Sequence, residues 1–469
     1  MSVFWIKTFQ LLLCFAILII LHEGGHFFFA KLFGIKVEKF FMFFDYKFHL
    51  FSTKDKWFAR LFPRIAKGET EYGMGWIPLG GYVKIAGMID ESLDTEQMKQ
   101  PVQPWEFRAK PVWQRFFVMV GGVLVNFLLA LFIYAMILFA WGSDTLPMQH
   151  ITDGFSFNQT AQQLGFRDGD IPVKVDGEVI EAWEGSVYRA ISEAKTVTVL
   201  RNGAEVEITM PAEGVNLLDM IESEPRFLAV RVPARVDSVL PESPAALAGM
   251  KTGARILEVD SQPVDWWADF EAVMGRKADV LAAGCSHEDS VRLRTLPIVF
   301  SNEEGTTPDT AIIQLDEHYM LGITKLSYPH YYKEAFVHHD YGFFESIPAG
   351  IAYGWETLKG YVSDLKYLFS KKGAQSVGSF GTIGNLFPAV WDWEAFWNIT
   401  AFISIILAVM NILPIPGLDG GHILFLLVEA VTRRPPSDKF MERAQYVGMA
   451  LLFALMALAI FNDVVKFLF

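Results

Sequence analysis

Two imidazoles and a carboxylate, His22, Glu23 and His26, interrupt an apolar run near the start of the chain. On a helix, His-Glu-x-x-His puts both imidazoles on one face, four residues apart, where they can bind one zinc ion. Glu23 then lies beside the metal, placed to act as a general base on water there. Eleven apolar residues, 11–21, lead into the motif, and 27–30 resume the run. Polar groups at membrane depth are costly and mark function by default. That setting weighs against the plainer readings, a satisfied core histidine pair or a chance match.

Holding such a motif requires membrane helices, and four stretches can supply them: roughly 4–29, 116–141, 396–413 and 447–460. The last extends to 469 if it continues across Asn462 and Asp463. The second has 26 residues without a charge, enough at about 1.5 Å per residue to cross a core of about 30 Å with tilt. The link 31–115 carries 14 Lys/Arg against 10 Asp/Glu, and the link after the third span carries Arg433, Arg434, Lys439 and Arg443. The long segment 142–340 has 32 acidic and 16 basic residues. Basic links stay in the cytoplasm, so both termini and the acidic segment are expected outside.

That topology brings the C-terminal ends of spans one and three to the same depth. Span one ends in the motif, and span three ends in Asn411-Ile-Leu-Pro-Ile-Pro-Gly-Leu-Asp-Gly-Gly-His422. Asp419 is thus an acid at the matching level, able to complete His₂Asp and leave a fourth zinc position open to water. A turn residue in Leu-Asp-Gly-Gly is the structural alternative, and His422 is a rival ligand.

Composition excludes other classes. The 469 residues are 52% hydrophobic with 41 phenylalanines, which suits a membrane protein with a substantial soluble part. A formal charge of −13 argues against a nucleic-acid partner. Cys14 and Cys285 stand in unlike environments, so no disulfide framework is expected. Removing the N-terminal run as a signal peptide would discard the motif, and no small-residue cleavage site follows it.

In the first link, residues 71–84 read as a strand pair around a tight turn, with Pro78 favouring an edge. It is either a clamp for an extended peptide by strand addition or a structural hairpin on the membrane surface. In the acidic segment, 165–177 aligns with 249–261 at an offset of 84, which Trp183 and Trp267 keep. The pattern looks like two circularly permuted bacterial PDZ domains, placed at 145–230 and 231–326. Residues 349–369 put Trp355, Leu358, Val362, Leu365 and Phe369 on one face of an amphipathic helix. It is expected to lie on the outer membrane surface or to pack on the PDZ pair.

Taken in order, these motifs resemble the site-2 protease family of intramembrane zinc metalloproteases, closest to the bacterial branch that regulates sigma-E by cleaving anti-sigma factors. The motifs are His-Glu-x-x-His, then Pro78-Leu-Gly-Gly-Tyr-Val-Lys84, Asn126-Phe127, and Asn-x-x-Pro-x-Pro-x-Leu-Asp-Gly-Gly-His. The resemblance implies a multi-pass α-helical membrane protein: four transmembrane helices, a membrane-associated β-hairpin, and two extracytoplasmic α+β PDZ domains. Its parts are 1–141 (helices one and two with the hairpin link), the PDZ pair, an amphipathic juxtamembrane segment at 342–394, and 395–469 (helices three and four). It implies zinc held by His22, His26 and Asp419, Glu23 as the base, and Asn411 at the substrate or its polarised carbonyl. Gly73, Gly75, Pro78, Leu79, Gly80, Gly81 and Tyr82 would clamp substrate. The expected substrates are transmembrane segments of single-pass membrane proteins, such as anti-sigma factors or remnant signal peptides, in the bacterial inner membrane. The active site would lie near the cytoplasmic side, with the PDZ pair filtering out large ectodomains. Two departures stand out. Phe43-Phe44-Asp45 occupies the place of Gly-x-Gly, and Gly122-Val-Leu-Val-Asn126-Phe127 lacks a proline after its glycine. The stretch 57–67 is longer and suggests a shape of its own. A metal-ion transporter or sensor using the same His/Asp site is the rival function, and a PDZ scaffold with a decayed site is a third. Neither explains Glu23 between the ligands.

Overall fold

Helix α1 (Val3–Leu32) runs unbroken through the His-Glu-Gly-Gly-His motif. The computed structural model describes residues 2–468 apart from 79, 89–99, 283, 285, 304–306 and 317–318. Among the described residues, four helices are long and apolar enough to cross a membrane: α1, α4 (Val112–Trp141), α8 (Trp393–Ile412) and Lys439–Phe467 within α10 (Asp438–Leu468). The fourth span is therefore longer than the run 447–460. It continues across Asn462 and Asp463 because both side chains are occupied. Asp463 accepts from the backbone N–H of Ser379, Gly381 and Thr382, at the start of α7 (Phe380–Leu386). Asn462 donates to the carbonyls of Ala374, in α6 (Lys371–Ser376), and Val377.

Small residues let α4 pack closely on its neighbours, as expected where lipid removes the hydrophobic drive between helices. A Cβ on Gly25 of α1 would strike the backbone of Gly121 and Gly122. Helix α5 (Phe343–Asp364) meets α4 the same way, with Gly350 against Ala135 and Gly354 against Leu131 and Tyr134. Part of the expected amphipathic face is covered by α4, and the Phe369 side chain lies outside the described residues. Leu358 and Leu365 pack toward α4, but Trp355 and Val362 are exposed. Glycines, rather than the apolar period, decide which side of α5 is covered.

The first link forms a four-stranded sheet in the order β2 (Phe44–Ser52), β3 (Glu71–Ile77), β1 (Val37–Met42), β4 (Tyr82–Ile85). Between β2 and β3 lie two short helices, α2 (Lys56–Leu61) and α3 (Pro63–Ala66). The expected hairpin is not formed. β3 and β4 do not pair; β1 lies between them, parallel to β3 and antiparallel to β4. The parallel pairing of Lys39–Met42 with Glu71–Met74 is a non-local contact that no turn signal announces. Phe43, with a φ of 67°, turns the chain from β1 into β2, and Phe44 and Asp45 are the first residues of β2.

Residues 143–339 form a separate unit. One sheet is ordered Glu178–Val179, Ile171–Val175, Thr196–Arg201, Ala204–Thr209, and a second Gln262–Pro263, Arg255–Val259, Thr295–Ser301, Asp309–Gln314. Left-handed backbone recurs at 165 and 249, 169 and 253, 176 and 260, and 177 and 261. The second half has its own buried cluster, including Ile256, Trp267, Ile298 and Phe300.

Candidate active site

The helical spacing of the motif turns both imidazoles from α1 toward α4, where His26 is buried. Helix α9 (Asp419–Thr432) begins with Asp419 and delivers it to the same point. The Nε2 atoms of His22 and His26 are 3.3 Å apart, and Asp419 Oδ2 lies 3.2 Å from the first and 3.3 Å from the second. Tetrahedral zinc with bonds of about 2.0–2.1 Å separates its ligand atoms by about 3.3 Å. The three atoms therefore sit as three corners of that tetrahedron. Asp419 Oδ2 is buried and has no hydrogen-bond partner, so this carboxylate oxygen is left for an ion. The residues present fit zinc. Among the described residues, His22, His26 and Asp419 are the group of this kind, and His422 does not join it.

Backbone shape makes the convergence possible. Gly417, at a φ of 100°, turns the chain after Pro414-Ile-Pro416, and Gly421 presses on Pro416 where a Cβ would come within 2.6 Å. Helix α9 is fixed to α4 by Arg115, whose guanidinium donates to both oxygens of Glu429 at 3.1 and 2.6 Å. Both side chains are largely buried.

One face of α4 supports the histidines through positions 118, 122 and 126, four residues apart. The Val118 carbonyl accepts from His26 Nδ1 at 2.8 Å. Gly122 leaves room for the rings, since a Cβ there would come within 2.5 Å of His26 Nε2 and 2.6 Å of His22 Cε1. Asn126, fully buried, places its amide 3.2 Å from His22 Nδ1, and its backbone carbonyl accepts from Ser404 of α8. Asn126 was visible in the sequence as part of a motif but was given no role. Its signal was a lone amide inside an uncharged apolar run.

Of the other expected site residues, Asn411 joins the cluster, with Nδ2 3.3 Å from His22 Nε2. Gly81 faces Glu23: a Cβ there would sit 3.5 Å from Glu23 Cγ and 2.6 Å from Ile19. Gly73 instead lies under the Phe41 ring, Gly75 under the Phe44 backbone, and Gly80 against the Phe44 ring. Tyr82 stacks on Phe41 and donates to Asp45, which Lys39 also approaches. Pro78 lies in the turn after β3, and Leu79 falls outside the described residues. β4, beside Glu23, is an edge strand of the sheet.

The model of peptidase family M50 matches residues 10–455. The regulator of sigma-E protease RseP of Escherichia coli is 27% identical over 475 residues, covering 95% of this chain and 96% of its own. The regulator of sigma E protease of Haemophilus influenzae is 28% identical over 492 residues, covering 99% and 100%. A match of that extent, on a chain with four membrane-grade helices and a His/His/Asp cluster, makes this protein a member of peptidase family M50, the membrane-embedded zinc metalloproteases.

Proposed function

We propose that the protein cleaves transmembrane segments of single-pass membrane proteins, with His22, His26 and Asp419 holding zinc and Glu23 as the base. The observation that carries this reading is the 3.2–3.3 Å triangle of ligand atoms with Glu23 adjacent in sequence to one ligand. When bound, zinc would polarise the scissile carbonyl and acidify water at the site. Glu23 takes a proton from the attacking water and returns it to the leaving amide nitrogen. Asn411 Nδ2, beside His22, donates to the carbonyl oxygen as charge develops on it. The outer edge of β4 receives the substrate as an added strand once its helix has opened locally. Gly81 keeps that edge close to Glu23.

The unit 143–339 is read as two PDZ domains, supported by the matching sheet orders and the recurring left-handed positions. By the charge of the links it stands outside the bacterial inner membrane, with both termini, and screens substrates by the size of their outer domain. Helices one and two with the sheet, the juxtamembrane segment 342–394 and helices three and four make up the rest. The relatives named for sigma-E regulation favour anti-sigma-factor-like substrates. A transporter using the same ligands would have no use for Glu23 between them.

The test is cleavage of a tagged single-pass substrate with a very short outer domain by wild type and Glu23→Gln, with zinc measured in both. Cleavage by wild type alone, at equal zinc content, supports the reading. Equal cleavage by both removes Glu23 as the base.

A further inference from the structure

The sheet has two edges, and β2, opposite β4, carries a surface that the proposed chemistry does not use. Tyr46, Phe48 and Leu50 of β2 are 65%, 54% and 61% exposed. Trp57 and Leu61 of α2 and Ile65 of α3 are also 54%, 65% and 49% exposed, and the Trp57 ring meets Phe51 of β2. Trp76 of β3 stacks flat on Phe48, and its indole N–H donates to the Tyr46 carbonyl, which fixes the aromatic patch. So much exposed apolar surface on one short segment marks an interaction site.

Charge says what the surface meets. Residues 46–67 carry six Lys/Arg and one acid, Asp55, in a chain of net charge −13. Asp55 is already occupied, accepting from His49 Nε2 at 2.9 Å and the Ser52 N–H at 2.8 Å. Lys54 closes the end of α3 by donating to the carbonyls of Ala66 and Gly68. Among the described residues, none of Lys56, Arg60, Arg64 and Lys67 forms an ion pair, and all four are exposed on or beside the two short helices. On α2, Lys56 and Arg60 flank the Trp57 and Leu61 side at helical spacing. β1 begins five residues after α1 ends, so the sheet stays within about 18 Å of a membrane helix terminus at 3.3–3.6 Å per residue.

We propose that residues 46–67 dock on the anionic phospholipid headgroups of the leaflet where α1 ends. Tyr and Trp settle at the headgroup level, Leu and Ile reach the acyl boundary, and the Lys/Arg stems run along it with their charges at the phosphates. The sheet is thereby held at the interface by its β2 edge, the edge opposite β4. A polypeptide partner would be expected to offer acidic charge as well, and the test separates the two.

The experiment places a nitroxide at Leu61→Cys in the full-length chain carrying Cys285→Ser, reconstituted in phosphatidylcholine alone or with 30% phosphatidylglycerol, about the anionic fraction that makes basic residues count. Collision with oxygen against a water-soluble nickel complex reports depth. The expected result is a label below the phosphates with phosphatidylglycerol. It should move toward water, by at least about threefold in collision ratio, in phosphatidylcholine alone or when Lys56, Arg60, Arg64 and Lys67 become Gln, since each cation near the surface is worth about fivefold in partitioning. Three results overturn the proposal: a label in water in both bilayers, equal depth in all conditions, or protection only when a peptide substrate is added. The comparison of bilayers with the reporter protein alone decides the matter if the fourfold Gln variant does not fold.

Discussion

The amide of Asn126 lies 3.2 Å from Nδ1 of His22, while its own Oδ1, buried, has no hydrogen-bond partner. An imidazole that presents Nε2 to a metal carries its proton on Nδ1 and needs an acceptor there. Rotating the amide by half a turn, a change of assignment between nitrogen and oxygen, puts Oδ1 in that place. His26 already has the equivalent acceptor in the Val118 carbonyl. Asn126→Leu is expected to weaken zinc binding about 10–100-fold, as loss of an outer hydrogen bond to a ligand does. Asn126→Asp keeps an acceptor and should hold zinc. Competition with a calibrated chelator, together with the cobalt-substituted absorption spectrum, checks both, and unchanged affinity in Asn126→Leu sinks the idea.

Gly122→Ala should abolish metal binding outright. The added methyl would come within 2.5–2.8 Å of both rings, and neither can retreat because each is held through Nδ1. Zinc content per chain after purification measures it. Full occupancy would show that α4 yields instead.

Gly81→Val separates substrate placement from metal binding. Its side chain would press on Ile19 and the Phe41 carbonyl and push β4 off Glu23. A displacement near 1 Å costs about a hundredfold in rate. Cleavage should fall by that order at unchanged zinc content. Normal cleavage would mean that β4 does not align the substrate.

The Arg115–Glu429 pair tests how α9 is held. Removing one partner of a largely buried ion pair leaves the other uncompensated, a cost of roughly 3–5 kcal/mol. Arg115→Ala is expected to lower the thermal midpoint clearly in detergent, and the exchange Arg115→Glu with Glu429→Arg should restore part of the loss. No change in Arg115→Ala would show that the pair is dispensable.

A pH effect follows from Asp55, whose carboxyl is held below the usual carboxylate range first by the His49 hydrogen bond and then by the Ser52 N–H. A depressed carboxyl stabilises the fold above its unfolded pKa of about 3.9 and loses that contribution as pH falls through its folded value. Asp55→Asn should therefore be less stable than wild type at neutral pH, with the gap closing in acid. A gap that widens on acidification contradicts this sign.

The convergence of His22, His26 and Asp419 was legible in the sequence because they are polar residues at the ends of two apolar runs. The sheet was misread because turn chemistry around Pro78 is local, while the strand that separates β3 from β4 comes from residues 37–42. Which side of α5 meets α4 was not legible for a related reason. A hydrophobic period finds the side chains that water expels, whereas Gly350 and Gly354 are buried for their lack of one. Asn126 carried a signal of the right kind, yet its partner became visible only once α4 was seen to lie behind α1.

The contact of Gly25 with Gly121 and Gly122 has a mechanical consequence. With no side chain between the two backbones, and with both imidazoles tied to α4 through Nδ1, helices α1 and α4 are welded at the level of His22 and His26. They can tilt together as one lever, but the two histidines cannot part without breaking the weld. Any opening wide enough to admit a polypeptide therefore hinges elsewhere, in elements joined to this pair by fewer bonds, and the geometry at His22 and His26 is carried through the motion unchanged.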